Sequence, residues 1–211
     1  METSFPLLFA ALVGFTHAFE ADHLLAVSNM ATRRNKLALA VKDGVYWGLG
    51  HTSTIFVIGL LMIVGKMSIS KQTFGYFEAV VGLMLVGLGI LRLLKAFRPS
   101  DSPHSPHSHE HEHEHGHKLA YGVGAVHGLA GSGALVVLVM GSLDTVLGGM
   151  AYLVIFGLGS VLGMLLASGV FSLPFSKKLA SYTAWQTALT LLSSALCILF
   201  GGMIIYENLA S

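Results

Sequence analysis

The sequence predicts an all-α membrane protein that crosses the bilayer several times, and three observations lead to this fold class. Hydrophobic residues make up 54% of the 211 residues and charged residues only 11%, against about 25% charged residues in soluble domains. The mean hydropathy is +0.71. The apolar residues lie in long stretches that are apolar on every face, which is typical of helices surrounded by lipid or protein.

Six of these stretches reach about 20 residues or more, the length that a helix needs to cross the hydrocarbon core. In chain order they are 5–30, 43–65, 74–95, 119–141, 144–171 and 182–206. No Lys or Arg precedes the first stretch, whereas a secretory signal carries a positive segment there. We therefore expect six transmembrane helices, with the first one retained.

The Lys and Arg residues are distributed unevenly over the predicted loops. One side of the membrane carries ten of the 12, which are Arg33, Arg34, Lys36, Lys42, Arg92, Lys95, Arg98, Lys118, Lys177 and Lys178. The other side carries Lys66 and Lys71. Because loops rich in Lys and Arg face the cytoplasm, we expect a multi-pass protein of the cell (inner) membrane with both termini outside.

The two halves of the chain resemble each other weakly. Gly14-Phe-Thr-His17 in the first span corresponds to Gly124-Ala-Val-His127 in the fourth, and Gly48-Leu-Gly50-His51 in the second corresponds to Gly157-Leu-Gly159-Ser160 in the fifth. Since three spans form one copy, the copies cross the membrane in opposite directions, as in the inverted repeats of secondary transporters. We expect two inverted three-helix repeats, over 1–98 and 119–211. Glycines at 128, 131 and 133 predict a broken helix in the fourth span.

Residues 99–118 join the two repeats and contain an alternating tract of His and Glu. The tract holds seven of the 11 histidines: His104, His107, His109, His111, His113, His115 and His117. Such a polar tract cannot bury a core, so we expect a disordered cytoplasmic loop. Imidazoles and carboxylates bind Ni, Co, Zn and Cu, so the tract is predicted to bind metal without discrimination; a solvated linker is the alternative.

The other four histidines, His17, His23, His51 and His127, lie within predicted spans. Ionisable residues there are costly unless partnered, and they typically mark a functional site; a helix–helix hydrogen bond is the alternative for any single one. At about 1.5 Å per residue, His17, His51 and His127 reach similar depths near the midplane, while His23 lies about 9 Å closer to the cytoplasm. We predict that His17, His51 and His127 converge on one cavity.

Acidic residues accompany these histidines. On a straight helix, His17, Glu20 and His23 form one stripe, and Asp22 points away from it. We therefore expect either a distorted helix or separate partners, with Asp22 orienting an imidazole. Glu78 lies near the outer end of the third span, where it acts either as an interfacial carboxylate or as a cation attractor at the outer mouth.

Two motifs resemble those of a known family. The segment His17-Ala-Phe-Glu-Ala-Asp22-His23 is similar to the HxxxxDH signature of the nickel/cobalt transporter family, and Leu49-Gly50-His51-Thr52-Ser53 resembles its LGHS-type motif. The stretches HGLAGSGAL (127–135) and FGLGSVLGM (156–164) resemble the shorter branch, which includes the membrane domain related to urease accessory protein H. Larger members have eight spans and an acidic LGxDTATE-type motif, whose acid is absent here.

The resemblance implies that His17, Asp22, His23 and His51 handle metal. We add His127 from its depth and its position in the repeat, and Glu20, Glu78 and Ser160 as accessory residues. The implied function is secondary transport of Ni²⁺ or Co²⁺ with no fixed cofactor. Uptake is the expected direction and export the alternative. The expected partners are membrane lipid, the metal ion, and cytoplasmic metallochaperones or urease and hydrogenase maturation proteins.

Other functional classes fit the sequence less well. It contains no GxxxxGK[ST] loop for ATP and no HExxH protease motif. His17, Glu20 and His23 also form an HxxExxH pattern, which could hold a catalytic metal. No nucleophile or general base accompanies this pattern, so an enzyme is not expected. A membrane metal sensor or accessory protein without transport stays as an alternative. The net charge of +1 argues against a nucleic-acid binder, and the single cysteine, Cys197, excludes a thiol–disulfide carrier.

Overall fold

The computed structural model describes residues 4–31, 37–67, 69–97, 117–130, 145–173 and 183–210, and all regular secondary structure in these ranges is helical. The helices are α1 (Ser4–His17), α2 (Ala21–Ala31), α3 (Leu37–Ile63), α4 (Lys71–Phe97), α5 (117–130), α6 (Val146–Ser172) and α7 (Thr183–Leu209). The linker residues 99–116 and the predicted break at 131 and 133 lie outside the described residues.

Within the described ranges, four helices are long and apolar enough to cross a membrane. They are α3, α4, α6 and residues Ala184–Leu209 of α7, while α1 holds a shorter apolar stretch, Leu7–His17. The outward faces expose large apolar side chains, such as Leu147 at 80% on α6, and exposed apolar surface of this extent is typical of contact with lipid. The prediction of an all-helical membrane protein is therefore confirmed.

The first predicted span is not one continuous helix. Helix α1 ends at His17, and α2 begins at Ala21. Between them the backbone tightens, because Phe19 N donates to Thr16 O at 2.9 Å and Glu20 N donates to His17 O at 3.1 Å. These are bonds between residues three apart, and they end an α-helix with a tight turn. The single span predicted over 5–30 is thus two helices with a turn at the histidine motif, which agrees with the distorted helix that the sequence left as one of two alternatives.

Helices α1 and α6 run parallel with their backbones in contact, and so do α5 and α3. In each pair, two glycines allow this approach, because a Cβ would collide with a backbone carbonyl oxygen of the neighbouring helix. The collisions are between Gly14 and Phe156, Gly159 and Ala11, Gly124 and Trp47, and Gly50 and Tyr121. Side-chain hydroxyls tie the same pairs: Ser160 Oγ donates to Gly14 O at 3.1 Å, and Thr54 Oγ1 donates to Ala125 O at 2.8 Å.

The remaining helices pack around this centre. Helices α3 and α6 cross in antiparallel directions, with Gly44 against Ser168 near one end and Gly59 against Leu153 near the other. Helices α4 and α7 form a second antiparallel pair, in which Gly82 faces Gly201. Helix α2 contacts α4, α6 and α7. The short helix that carries the histidine motif is therefore held between the two pairs.

We expect Gly124→Ala to destabilise the protein, because the added methyl group meets the Trp47 carbonyl oxygen. Overpacking of this kind costs about 1–3 kcal/mol. The measurement is thermal unfolding of the purified protein in detergent. Gly122→Ala is the matched control on the same helix, since no atom lies within 4 Å of a Cβ there, and it should be neutral or slightly stabilising. Equal melting temperatures for the two variants would contradict the close backbone contact.

Candidate metal centre

The turn after α1 brings His17 and His23 together. His17 is the last residue of α1 and His23 lies in the first turn of α2, and their ring centroids are 4.5 Å apart. On a straight helix the two side chains would be separated along the axis by about 9 Å. The expected difference of about 9 Å in depth between the two rings is therefore wrong, because a turn interrupts the helix between them.

His51 on α3 completes a group of three imidazoles from three helices. Its ring lies 5.2 Å from that of His17 and 5.1 Å from that of His23. One potential ligand nitrogen from each ring can be chosen so that all three lie within 4.8 Å of one another. All three side chains are buried, with His51 completely excluded from solvent. We call these residues the histidine triad.

His127 on α5 joins the triad through Asp22. Its ring lies 4.2 Å from that of His23 and 6.4 Å from that of His51. Asp22 bridges two histidines, since Oδ1 accepts from His23 Nδ1 at 3.0 Å and Oδ2 accepts from His127 Nε2 at 2.9 Å. The ring of His51 thus lies close to those of both His17 and His127, while the convergence of the three on one cavity near the midplane stays a prediction. Asp22, His23 and His127 form a second group with metal-ligand spacing, which shares His23 with the triad.

Carboxylates orient two rings of the triad. Glu20 accepts from His17 Nδ1 at 2.9 Å, and Asp22 accepts from His23 Nδ1. Among the described residues, the opposite nitrogens of both rings, Nε2, have no hydrogen-bond partner, and neither do the two ring nitrogens of His51. Metal-binding histidines commonly donate their other nitrogen to a carboxylate, and buried polar atoms left without partners are rare. The triad therefore has the donor set and the orientation for a divalent metal such as Ni²⁺, Co²⁺, Zn²⁺ or Cu²⁺.

Aromatic rings and a buried hydroxyl enclose the centre. Trp47 on α3 lies 5.6 Å from the ring of His23 and 5.8 Å from that of His127, and Phe156 on α6 lies 5.7 Å from that of His17. Ser160, predicted as an accessory residue, is buried and donates to the backbone of α1. Its contact therefore holds α1 against α6.

The centre opens to one side. A cleft of about 250 Å³ is lined by His17, Glu20, Asp22 and Glu78, together with Glu207 and Asn208 on α7. Beyond Trp47, a void of only about 10 Å³ is lined by residues that include Asp43 and Ser168. Glu78 therefore lines the same cleft as His17. Glu207 was not singled out from the sequence, although an acid directly after an apolar run is a visible signal.

His117 is part of a helix and not of the loop to which the sequence assigned it. It is the first described residue of α5, is buried, and its Nδ1 lies 2.6 Å from Oδ1 of Asp43 on α3. Its ring stacks on Tyr46 at 5.0 Å. Sequence reasoning did not single out Asp43, which stands at the very start of a predicted span. The other tract histidines, His104, His107, His109, His111, His113 and His115, lie outside the described residues.

The curated relatives of the chain include a urease accessory protein, a chloroplast protein and a nickel transporter. It is 35% identical to the urease accessory protein UreH of Bacillus sp. (strain TB-90) over 171 residues, which cover 78% of this chain and 75% of UreH. It is 28% identical to the chloroplast protein FOR GROWTH AND FERTILITY 1 of Arabidopsis thaliana (72% of this chain, 46% of that protein). It is 32% identical to the nickel transporter NicT of Mycobacterium tuberculosis (41% of this chain, 27% of NicT).

No protein-family model and no solved structure matches the chain. The chain spans less than half the length of the chloroplast protein and of NicT, but three quarters of UreH. The match to UreH extends over most of both chains, and the resemblance seen in the HxxxxDH and LGHS-type motifs agrees with it. The chain therefore belongs to the nickel/cobalt transporter family, in the branch that contains the urease accessory protein UreH.

Proposed function

We propose that the protein is a secondary transporter of divalent transition-metal ions, with Ni²⁺ as the preferred ion and Co²⁺ as the second. The observation that carries this proposal is the histidine triad, whose buried nitrogens lack partners among the described residues and which adjoins a cleft. Imidazole ligands suit these ions, and ionisable groups within membrane helices typically mark ion pathways. The nickel transporter NicT among the relatives supports the choice of ion.

In this proposal the ion binds first to His17, His23 and His51. The second group, Asp22, His23 and His127, shares His23 with the triad. An ion can therefore pass from one group to the other while it keeps one ligand, which avoids the cost of releasing all its ligands in an apolar interior. Glu20 acts on the ion through His17, whose ring it orients.

We further propose six transmembrane spans in two inverted repeats, over 1–98 and 119–211, joined by a cytoplasmic His-rich loop. Four contacts support this arrangement. Gly14 and Gly124 are equivalent in the repeat, and so are the residues they touch, Phe156 and Trp47. The same holds for Gly159 with Ala11 and Gly50 with Tyr121. A two-fold axis that exchanges the repeats would generate one set of contacts from the other.

The proposed direction is uptake across the cell membrane, with both termini outside. In this orientation the end of α7 and the cleft face outwards, and the basic loops face the cytoplasm. An exporter of the same fold would load the triad from the opposite side. The cytoplasmic tract would then receive ions after import and offer them to metallochaperones or maturation proteins.

A second candidate function is that of an accessory protein that binds nickel without transporting it, which the designation of UreH as a urease accessory protein favours. The deciding experiment is a flux assay with a panel of metal ions in proteoliposomes of controlled orientation. Saturable Ni²⁺ flux supports the transporter, and bound Ni²⁺ without flux supports the accessory protein.

We expect His51→Ala to abolish Ni²⁺ flux and to weaken Ni²⁺ binding by about 100-fold or more, because it removes a direct ligand from a buried three-nitrogen site. Flux and calorimetric binding are the measurements. Ser53→Ala, an exposed position on the same helix, is the matched control and should behave as the wild type. Retained flux in His51→Ala would exclude the triad as the transport site.

Asp22→Asn should weaken Ni²⁺ binding by about 10- to 100-fold, as found for residues that orient metal ligands. The amide keeps the shape of the carboxylate, but it accepts through one atom only, so it cannot accept from both His23 and His127. Binding is measured as above, with thermal unfolding as the control for folding. An unchanged dissociation constant would show that the bridge does not position the ligands.

Deletion of residues 101–116 should leave Ni²⁺ flux within about two-fold of wild type, because the proposed transport site lies within the helices. Extending the deletion to His117 should lower the melting temperature, since it leaves Asp43 buried without its imidazole partner. Flux and thermal unfolding of the two deletions are compared. Loss of flux with the shorter deletion would favour a sensor or accessory role for the tract.

A further inference from the structure

Carboxylates are concentrated around the cleft beside the histidine triad. The described part of the chain contains five carboxylate side chains, and four of them line this cleft: Glu20, Asp22, Glu78 and Glu207. The fifth, Asp43, lies beyond Trp47. None of the described residues that line the cleft is Lys or Arg. The described lining is therefore rich in carboxylates, in a chain with a net charge of only +1.

The cleft also reaches a residue of the triad. His17 lines it, although only 8% of that side chain is exposed, and His17 Nε2 is buried with no hydrogen-bond partner among the described residues. The cleft and the triad therefore share His17, so the acidic lining adjoins the candidate metal centre.

The four carboxylates occupy different positions relative to the triad. Glu20 and Asp22 hydrogen-bond to His17 and His23. Glu78 and Glu207 come from α4 and α7, the antiparallel pair on the other side of the cleft. Asn208 follows Glu207 on α7. Its Oδ1 lies 3.3 Å from the place that a Cβ would occupy on Gly75. Gly75 lies about one helical turn before Glu78 on α4. The α4 and α7 side thus contributes two carboxylates and an amide oxygen.

We propose that Glu78, Glu207 and the Asn208 amide oxygen form an outer cation site that loads the histidine triad. The assignment of the triad as its destination rests on the transport function proposed above. Oxygen ligands suit hard cations such as Mg²⁺, Ca²⁺ and Mn²⁺, whereas imidazoles favour later transition metals. The outer site therefore concentrates divalent cations by charge, and selection between metals takes place at the triad.

This arrangement has a kinetic signature that differs from loss of a triad ligand. A negative recess raises the local concentration of cations, by about 10-fold or more at low ionic strength. Neutralising it should raise the half-saturation concentration for Ni²⁺ about 10-fold and leave the maximal rate within about two-fold. Salt screens solvent-exposed charges, and raising its concentration from 0.02 to 0.5 M shortens the screening length from about 20 to about 4 Å. The difference in half-saturation concentration between the variant and the wild type should therefore shrink over this range.

The test measures Mn²⁺ binding to the full-length protein by electron paramagnetic resonance, with the signal of free Mn²⁺ as the readout. Wild type and the double variant Glu78→Gln/Glu207→Gln are compared, and we expect the double variant to bind one Mn²⁺ fewer. His51→Ala, which disables the triad, should keep that Mn²⁺. Asp43→Asn, the matched control at the fifth described carboxylate, should keep it as well. Charge-retaining Glu78→Asp/Glu207→Asp should restore the binding and thereby separate lost ligands from misfolding.

Equal Mn²⁺ binding in wild type and Glu78→Gln/Glu207→Gln would overturn the outer site, and so would a loss of the same Mn²⁺ in His51→Ala. The binding readout does not depend on transport. A wild-type protein without Ni²⁺ flux would therefore refute the proposed function while the Mn²⁺ measurement still decides the outer site. In the flux assay, millimolar Mg²⁺ should compete with Ni²⁺ in wild type and much less in the double glutamine variant.

Discussion

The bridge that Asp22 makes between His23 and His127 is the interaction on which the centre depends. It joins α2 to α5 through a carboxylate whose two oxygens each accept from a different ring. A carboxylate and two imidazoles inside an apolar bundle would each be costly alone. Together they satisfy one nitrogen of each ring, and the other two, His23 Nε2 and His127 Nδ1, are buried without a partner among the described residues. The position of Asp22 in turn depends on the turn after His17, since a straight helix would direct it elsewhere.

The glycine contacts supply the rigidity that such a centre needs. Where α1 meets α6 and α5 meets α3, a backbone carbonyl oxygen of the neighbouring helix is the atom nearest to the Cβ position of Gly14, Gly159, Gly124 and Gly50. The ring positions of His17 and His127 are therefore set by helix crossings close to each histidine, at Gly14 and Gly124. A ligand geometry set by the backbone varies less than one set by long side chains, which suits a site that must distinguish similar ions.

Much of this architecture could be predicted from the sequence. The features that could not be predicted depend on a turn without a sequence signal or on contacts between residues far apart in the chain. Apolar runs revealed the helices, and histidines inside those runs revealed most of the centre, because burial of an ionisable group is visible in the sequence. His23 was misplaced because depth was counted along a straight helix, and His17-Ala-Phe-Glu-Ala contains no proline or glycine that would signal a turn. His117 was assigned to the loop because its neighbours are polar, whereas its burial comes from Asp43, 74 residues away. Asp43 and Glu207 stand at the ends of apolar runs, where acids usually face water.

Trp47 separates two very different spaces, a cleft of about 250 Å³ and a void of about 10 Å³. The smaller space holds about one water molecule, and Trp47 itself is completely buried. On the side of this ring that Asp43 and Ser168 line, the described residues enclose a space too small for a file of hydrogen-bonded waters. The transport proposed above therefore requires side chains to move on this side of the indole, whereas the side of the cleft is already open.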